Sequence, residues 1–101
     1  MSQGSLTRGD LPPRVVTPPP GPRSRELARR LAEVESPGVN TVASGFPGNP
    51  EVSLESGPIL WQEALGGNVL DVDGNLYIDL TSGFGVAAVG HRHPRVVAAL
   101  H

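Results

Sequence analysis

Residues 69–80 have the sequence Val69-Leu-Asp-Val-Asp-Gly-Asn-Leu-Tyr-Ile-Asp-Leu80, which predicts two β-strands joined by a tight turn. The Asp73-Gly74 step is a strong hairpin signal, because both central positions of such a turn favour a positive φ angle. After the turn, every second residue from Leu76 to Leu80 is a large aliphatic one. One face of this strand is therefore apolar and needs a cover.

Three strands are predicted in this half of the chain, over residues 59–64, 68–72 and 76–80. Leu65-Gly66-Gly67 can turn between the first two, so the pattern indicates a three-stranded antiparallel meander. A loop of small residues follows, and Pro94 then suits the first position of a second helix. The predicted fold class is α+β.

An amphipathic helix is predicted upstream, from Arg25 to Glu35. Leu27, Leu31 and Val34 recur at i, i+4 and i+7 and form one apolar stripe, while Ser24 can cap the first turn. A helix this short with so narrow a stripe is marginal alone in water, so it needs a surface to pack on. It is one candidate to cover the apolar strand face, and the remainder of a larger protein is a better one.

The N-terminal residues, 1–23, are rich in proline, arginine, serine and glycine without periodicity, which predicts a disordered or polyproline-like arm. A helix stop at Ser36-Pro37-Gly38 is followed by a predicted loop over residues 39–57. The chain thus divides into the arm, a helix and loop over residues 24–57, and a C-terminal subdomain over residues 58–101.

The net charge of −2 conceals an asymmetry, because residues 1–30 carry +4 and residues 31–101 carry −6. The arginines of the arm are not clustered and have no aromatic residues between them for base stacking, so no nucleic-acid partner is expected. The chain has no cysteine, and no stretch approaches the roughly 18 apolar residues of a membrane span. A cytoplasmic protein without a membrane partner is expected.

Residues 83–88, Gly-Phe-Gly-Val-Ala-Ala, match the G-x-G-x-x-A pattern of dinucleotide-binding proteins. That pattern should open a helix whose N-terminus binds the pyrophosphate, but Gly90 and Pro94 interrupt any such helix after about two turns. A small non-catalytic binding or interaction module with weak nucleotide affinity is therefore only an alternative function.

His91 and His93 flank a single arginine and invite comparison with metal ligands. Two imidazoles without a nearby third ligand do not complete a zinc site, so no metal is expected. Both histidines are predicted to be structural. Gly90 permits a backbone turn, and His93 would lie at the entrance of the second helix, where it could hydrogen-bond the loop.

Three carboxylates, those of Asp71, Asp73 and Asp79, could in principle act as a general acid or base. Turn chemistry explains the first two more simply, because aspartates bond the backbone amides that follow them and tolerate the turn conformation. Asp79 precedes the loop Thr81-Ser82-Gly83 and could accept hydrogen bonds from its amides. All three carboxylates are predicted to be structural.

Four motifs occur in one order: Asp71-Val-Asp-Gly-Asn75, Tyr77-Ile-Asp79, Ser82-Gly83 and Gly90-His-Arg-His-Pro94. Together they resemble the N-terminal region of the class III, pyridoxal-phosphate-dependent aminotransferases, the group of the 4-aminobutyrate and ornithine aminotransferases. The resemblance covers roughly residues 58–100. It implies a homodimeric enzyme of fold type I (α/β), in which this segment is a small N-terminal subdomain near the dimer interface that helps to wall the active-site entrance.

The resemblance implies transfer of an amino group from an amino acid or amine to a 2-oxo acid through pyridoxal 5'-phosphate. That cofactor needs a lysine amine for its Schiff base, and this chain contains no lysine. We therefore expect an N-terminal fragment that supplies no catalytic or cofactor-binding residue, does not bind the cofactor alone, and has the rest of the enzyme or its dimer mate as partner. Phe84 is the side chain that the resemblance implies at the substrate channel. The structural motif residues are Asp71, Asp73, Gly74, Asp79, Gly83, Gly90, His91, His93 and Pro94.

Overall fold

The computed structural model describes residues 6–35 and 57–101, and within these ranges the chain forms two helices and three strands. The elements are α1 (Pro22–Val34), β1 (Trp61–Leu65), β2 (Asn68–Asp71), β3 (Leu76–Ile78) and α2 (Pro94–Leu100). The strands lie in the order β1-β2-β3, and both neighbouring pairs are antiparallel. The α+β meander predicted from the sequence is therefore confirmed, although each strand is shorter than predicted. The predicted loop over residues 39–57 lies almost wholly outside the described residues.

The two turns of the meander differ in length. A turn was predicted over Leu65-Gly66-Gly67, but Leu65 belongs to β1 and pairs with Asn68, so only Gly66 and Gly67 form the turn. In the second turn the amide of Asp71 donates to the carbonyl of Asn75, which leaves a three-residue loop. Of the predicted Asp73-Gly74 pair, only the glycine has a positive φ, of 90°. This differs from the predicted two-residue turn and agrees with the longer hairpin loops that place glycine at their left-handed position.

Helix α1 begins at Pro22, three residues before the predicted start. Proline favours this first position because its fixed φ suits a helix and its missing amide hydrogen would have had no partner there. The N-cap residue is Gly21, which has no side chain to accept a hydrogen bond. Ser24 is therefore not the cap that the sequence predicted. Its buried hydroxyl instead accepts a hydrogen bond from the amide of Leu60, 3.2 Å away.

The N-terminal arm lies against the sheet from residue 6 onward, which corrects the expectation of a disordered segment. The backbone groups of Arg14 and Leu76 exchange two hydrogen bonds, of 2.9 and 2.8 Å. Two buried asparagines of the meander, Asn68 and Asn75, also accept hydrogen bonds from amides of the arm. The prolines exclude a helix here, but the amides between them remain free to pair with the outer edge of β3.

The interior of the described residues is as much polar as apolar. The buried side chains include those of Ala28, Val69, Leu76, Thr7, Ser24, Asn68, Asp71 and Asn75. Within residues 6–35 and 57–101, every buried side-chain nitrogen and oxygen has a hydrogen-bond partner. Because an unpaired buried polar group is costly, this network fixes one arrangement of arm, hairpin and helix.

The apolar face predicted for the third strand is covered only at its first residue. Leu76 is buried beneath the arm, whereas Ile78 and Leu80 are exposed. Neither helix in the described part of the chain is long and apolar enough to cross a membrane.

Candidate functional site

The loop after β3 has an unusual backbone. Four successive residues have φ angles in the left-handed region: 51° at Ser82, 58° at Gly83, 61° at Phe84 and 86° at Gly85. Glycine adopts this region freely, whereas a bulky residue such as phenylalanine does so only at a cost. We call residues 82–85 the left-handed turn. The Phe84 side chain extends from it into solvent and is 98% exposed.

The carboxylate of Asp79 holds the start of this loop. Oδ1 accepts hydrogen bonds from the amide and the hydroxyl of Thr81, at 3.1 and 3.0 Å, and Oδ2 accepts one from the amide of Gly83 at 3.0 Å. These are contacts of the kind predicted from the position of Asp79 ahead of the loop. The amide of Asp79 in turn donates to the carbonyl of Gly67, which joins the loop to the β1–β2 turn.

Asp79 has a further partner that the sequence did not reveal. Oδ2 lies 2.7 Å from Nε2 of His91, and the side chains of His91 and Asp79 are only 14% and 8% exposed. The hydrogen bond from His91 is the main reason that the pKa of Asp79 lies below its usual value, and the bonds from Thr81 and Gly83 lower it further. Twelve residues separate the pair, so no local pattern pointed to this contact.

The backbone of His91 is fixed by the β1–β2 turn. Its amide donates to the carbonyl of Gly66, and its carbonyl accepts from the amide of Gly66, both at 2.8 Å. Gly90 has a φ of 91°, and a Cβ there would lie 3.3 Å from the carbonyl oxygen of Gly66, so glycine suits this close approach. The Trp61 ring meets the imidazole of His91 edge to face, with 5.5 Å between ring centroids.

His93 has a different role from His91. It is the N-cap residue of α2, and its Nδ1 accepts a hydrogen bond from the amide of Arg95 at 3.3 Å. Pro94 occupies the first position of that helix, as the sequence predicted. The two imidazoles therefore serve separate partners. Among the described residues, no group of three or more histidine, aspartate or glutamate side chains could hold a metal ion.

The remaining predicted carboxylates lie at the β2–β3 turn. Asp71 accepts hydrogen bonds from the amides of Asp73 and Asn75, both at 2.9 Å, which is the turn chemistry predicted for it. It also accepts bonds from the side-chain amide of Asn75 at 3.0 Å and from the hydroxyl of Tyr77 at 2.8 Å. The buried Asp71 carboxylate thus organises the whole turn from inside.

Asp73 was predicted to bond its own turn, but it reaches across to α1. Its two carboxylate oxygens accept hydrogen bonds from the amides of Arg23 and Ser24, at 2.7 and 2.9 Å. Burial acts to raise the pKa of Asp73, but the bonds from these amides outweigh it, so the pKa lies below the usual value. Gly74 supplies the positive φ that lets the turn close behind this carboxylate.

The G-x-G-x-x-A pattern does not open a helix. Gly83 and Gly85 lie in the left-handed turn, the residues up to 89 continue as turns, and the next helix begins at Pro94. A helix N-terminus is the feature that binds the pyrophosphate in dinucleotide-binding proteins, and it is missing at this point of the chain.

Comparison with known proteins gives a family match over the same part of the chain. Residues 51–101 match the model of the aminotransferase class-III family. The 4-aminobutyrate aminotransferase of Mycobacterium tuberculosis is 42% identical over 87 residues, which cover 86% of this chain and 16% of that protein. The alanine/serine racemase of Pyrococcus horikoshii is 33% identical over 88 residues, which cover 87% of this chain and 16% of that protein.

A third relative is named for a different reaction. The glutamate-1-semialdehyde 2,1-aminomutase of Desulforapulum autotrophicum is 38% identical over 78 residues, which cover 77% of this chain and 17% of that protein. The chain thus spans about one sixth of the length of these curated relatives.

Proposed function

Because the chain belongs to the class III aminotransferase family, we propose that it is the N-terminal subdomain of an enzyme that moves an amino group from an amino acid or amine to a 2-oxo acid. The identity of 42% to a 4-aminobutyrate aminotransferase supports this reaction class. The single observation that carries the proposal is the family match over residues 51–101, within which the left-handed turn presents an exposed aromatic ring.

Phe84 is the residue that we propose to line the substrate channel. Its backbone is held in a region that phenylalanine rarely adopts, and such strain persists only where surrounding contacts over-determine it. Those contacts are the hydrogen bonds from Thr81 and Gly83 to Asp79. Strained positions of this kind cluster at functional sites, where an exact side-chain direction matters more than stability.

The proposed cofactor is pyridoxal 5'-phosphate, which acts as an electron sink for amino-group chemistry when it is bound. The residues of this chain do not fit that cofactor, because none of the 101 is a lysine that could form the Schiff base. The contribution that we propose for these residues is therefore to shape the channel around Phe84 and to limit its contact with water.

The partner that we propose is the remainder of the enzyme or its dimer mate, in a parent of fold type I. The exposed aliphatic residues of the loop and of the two elements that flank it support such a contact, because burial of apolar surface against a partner is favourable. These residues are Ile78, Leu80, Val86, Val89, Val96 and Leu100. The absence of cysteine suits the cytoplasm, which is the location that we propose.

A graft tests the proposed function. Residues 51–101 would replace the aligned segment of the Mycobacterium tuberculosis 4-aminobutyrate aminotransferase, and transamination of 4-aminobutyrate with a 2-oxo acid would be measured. We expect kcat/KM within about tenfold of the parent enzyme. A graft that is folded and loaded with cofactor but inactive would contradict the proposal.

The role of Phe84 is tested within the same graft. Phe84→Ala should raise KM roughly tenfold or more, because the substrate loses an apolar contact. Gln62→Ala is the control, since Gln62 is an exposed residue of β1 within the grafted segment and is not among the residues proposed to contact the partner. Equal kinetic constants for the Phe84→Ala graft and the unmodified graft would contradict the proposal that Phe84 lines the channel.

A further inference from the structure

We propose that His91 is a positioning residue: through Asp79 it holds the left-handed turn and so sets the direction of the Phe84 side chain. The effect of the Phe84 direction on substrate binding rests on the proposed function. The hydrogen-bonded link from His91 through Asp79 to the turn does not. Sequence patterns alone gave His91 an architectural role within its motif. The contacts of its ring extend that role to the loop that carries the candidate channel residue.

The link runs through one oxygen atom. Oδ2 of Asp79 accepts hydrogen bonds from Nε2 of His91 at 2.7 Å and from the amide of Gly83 at 3.0 Å. Gly83 immediately precedes Phe84 and is the second residue of the left-handed turn. An ionised carboxylate only accepts hydrogen bonds, so Nε2 of His91 must carry the proton in this arrangement.

Water is a poor substitute for His91 at this position. The Asp79 side chain is only 8% exposed, so removal of the imidazole would leave one carboxylate oxygen short of a partner in a site that solvent barely reaches. The carboxylate would then be free to rotate toward solvent. Its bond to the amide of Gly83 would weaken with that rotation, and the turn would be left to the backbone bonds from Gly85 to Thr81 and from Ala87 to Ser82.

His91 and Asp79 are both hydrogen-bonded to the β1–β2 turn. The backbone of His91 exchanges two hydrogen bonds with Gly66, and the amide of Asp79 donates to the carbonyl of Gly67. The Trp61 ring also contacts the imidazole edge to face. Since the β1–β2 turn fixes both residues, the bond between His91 and Asp79 can transmit a fixed geometry to the loop.

The test uses the full chain, labelled with nitrogen-15, and measures hydrogen exchange of individual backbone amides by NMR. His91→Ala should speed exchange at Thr81 and Gly83 by ~10- to 100-fold, the range for losing a hydrogen bond to a charged group. The amide of Val69, at the centre of the meander, should exchange at its original rate. His91→Gln should restore most of the protection, because its side-chain amide can donate to the same oxygen.

His93→Ala is the matched control. His93 lies two residues away in the same motif, but its ring accepts a bond from the amide of Arg95 and does not contact Asp79. This variant should leave Thr81 and Gly83 unchanged. The proposal is overturned if His91→Ala leaves both amides protected, or if His93→Ala exposes them equally.

A measurement on the unmodified chain and on Asp79→Asn decides the matter if His91→Ala does not fold. The nitrogen-15 shifts of the imidazole should show a proton on Nε2 of His91, and Asp79→Asn should alter those shifts. A neutral imidazole with its proton on Nδ1 overturns the proposal. None of these experiments involves cofactor or turnover, so an inactive graft together with the expected exchange pattern would refute the proposed enzyme function alone.

Discussion

Ser24 and Asp73 lie 49 residues apart in the sequence, yet the amide of Ser24 donates a hydrogen bond to Oδ2 of Asp73 at 2.9 Å. The amide of Arg23 donates to the other oxygen of the same carboxylate at 2.7 Å. A carboxylate from the hairpin thus does for α1 what the side chain of an N-cap residue normally does, and its negative charge also suits the positive end of the helix dipole.

Loss of this carboxylate should weaken α1. Asp73→Ala is expected to lower the free energy of unfolding by ~1 kcal/mol, the usual effect of removing a capping side chain. Asp73→Asn should lower it less, because its amide oxygen can still accept one of the two bonds. Urea denaturation followed by far-ultraviolet circular dichroism measures both changes, and an Asp73→Ala variant as stable as the parent chain would contradict the capping role.

Gly21 provides the control for this interaction. A Cβ added at Gly21 would overlap Cγ of Asp73, so Gly21→Ala must push the carboxylate away from the helix. The two substitutions should therefore be strongly non-additive, since each removes the same cap. A Gly21→Ala effect that is just as large in the Asp73→Ala background would assign its cost to the backbone of Gly21.

Asn75, which is buried in the β2–β3 turn, should control how often the N-terminal arm detaches from the sheet. Oδ1 of Asn75 accepts hydrogen bonds from the amides of Val16 and Thr17, at 2.8 and 3.0 Å. Asn75→Ala would leave these amides without that acceptor, which should speed trypsin cleavage after Arg14 roughly tenfold or more if cleavage follows the population of the released arm. Gln62→Ala, at an exposed position of the same sheet, should leave the cleavage rate unchanged.

Tyr77 should give the chain a stability change at alkaline pH. Burial and the hydrogen bond to the Asp71 carboxylate raise the pKa of Tyr77 from its ordinary value of 10.0 to about 12. Because the folded pKa is the higher one, the protonated phenol contributes stability that is fully present below a pH of about 10 and is lost as the pH rises toward about 12.

Tyr77 is the only tyrosine, so the ultraviolet absorbance of tyrosinate reports this group alone. The folded chain should titrate near the raised pKa and the urea-unfolded chain near the ordinary value of about 10. Tyr77→Phe should abolish the signal and remove the stability loss from this pH range. A folded-chain midpoint at the unfolded value would rule out the bond to Asp71 in solution.

Local patterns were enough to predict the meander and several of its turn contacts. Alternating residues of β3, the glycines of the β1–β2 turn and the short-range bonds of Asp71 and Asp79 all act within a few residues. The class III family was likewise predictable, because its motifs lie in continuous order along residues 71–94, and the family match confirms it.

The missed contacts are long-range contacts between polar side chains and distant partners. Hydrophobic periodicity reveals which face of an element is covered, but it does not reveal which carboxylate caps a helix from another turn. Three hydrogen-bonded contacts belong to this class: Asp73 with α1, His91 with Asp79, and Asn75 with the arm. The arm was misjudged because proline-rich composition argues against a helix, yet it leaves single residues such as Arg14 able to pair with a strand edge.

The backbone of Phe84 should itself be a source of instability. Its φ of 61° is left-handed, which costs a residue with a Cβ about 1–2 kcal/mol, whereas glycine adopts it freely but loses more entropy on folding. Phe84→Gly should therefore raise the free energy of unfolding by ~0.5–1 kcal/mol. Ser82→Gly, at a φ of 51° in the same turn, should also be stabilising.

Urea denaturation measures both variants, and a destabilised Phe84→Gly chain would show that the aromatic side chain makes contacts that outweigh its backbone strain. Stabilisation by both substitutions, with loss of substrate affinity in the graft only for Phe84→Gly, would show that the strained turn is retained because of the ring that it presents.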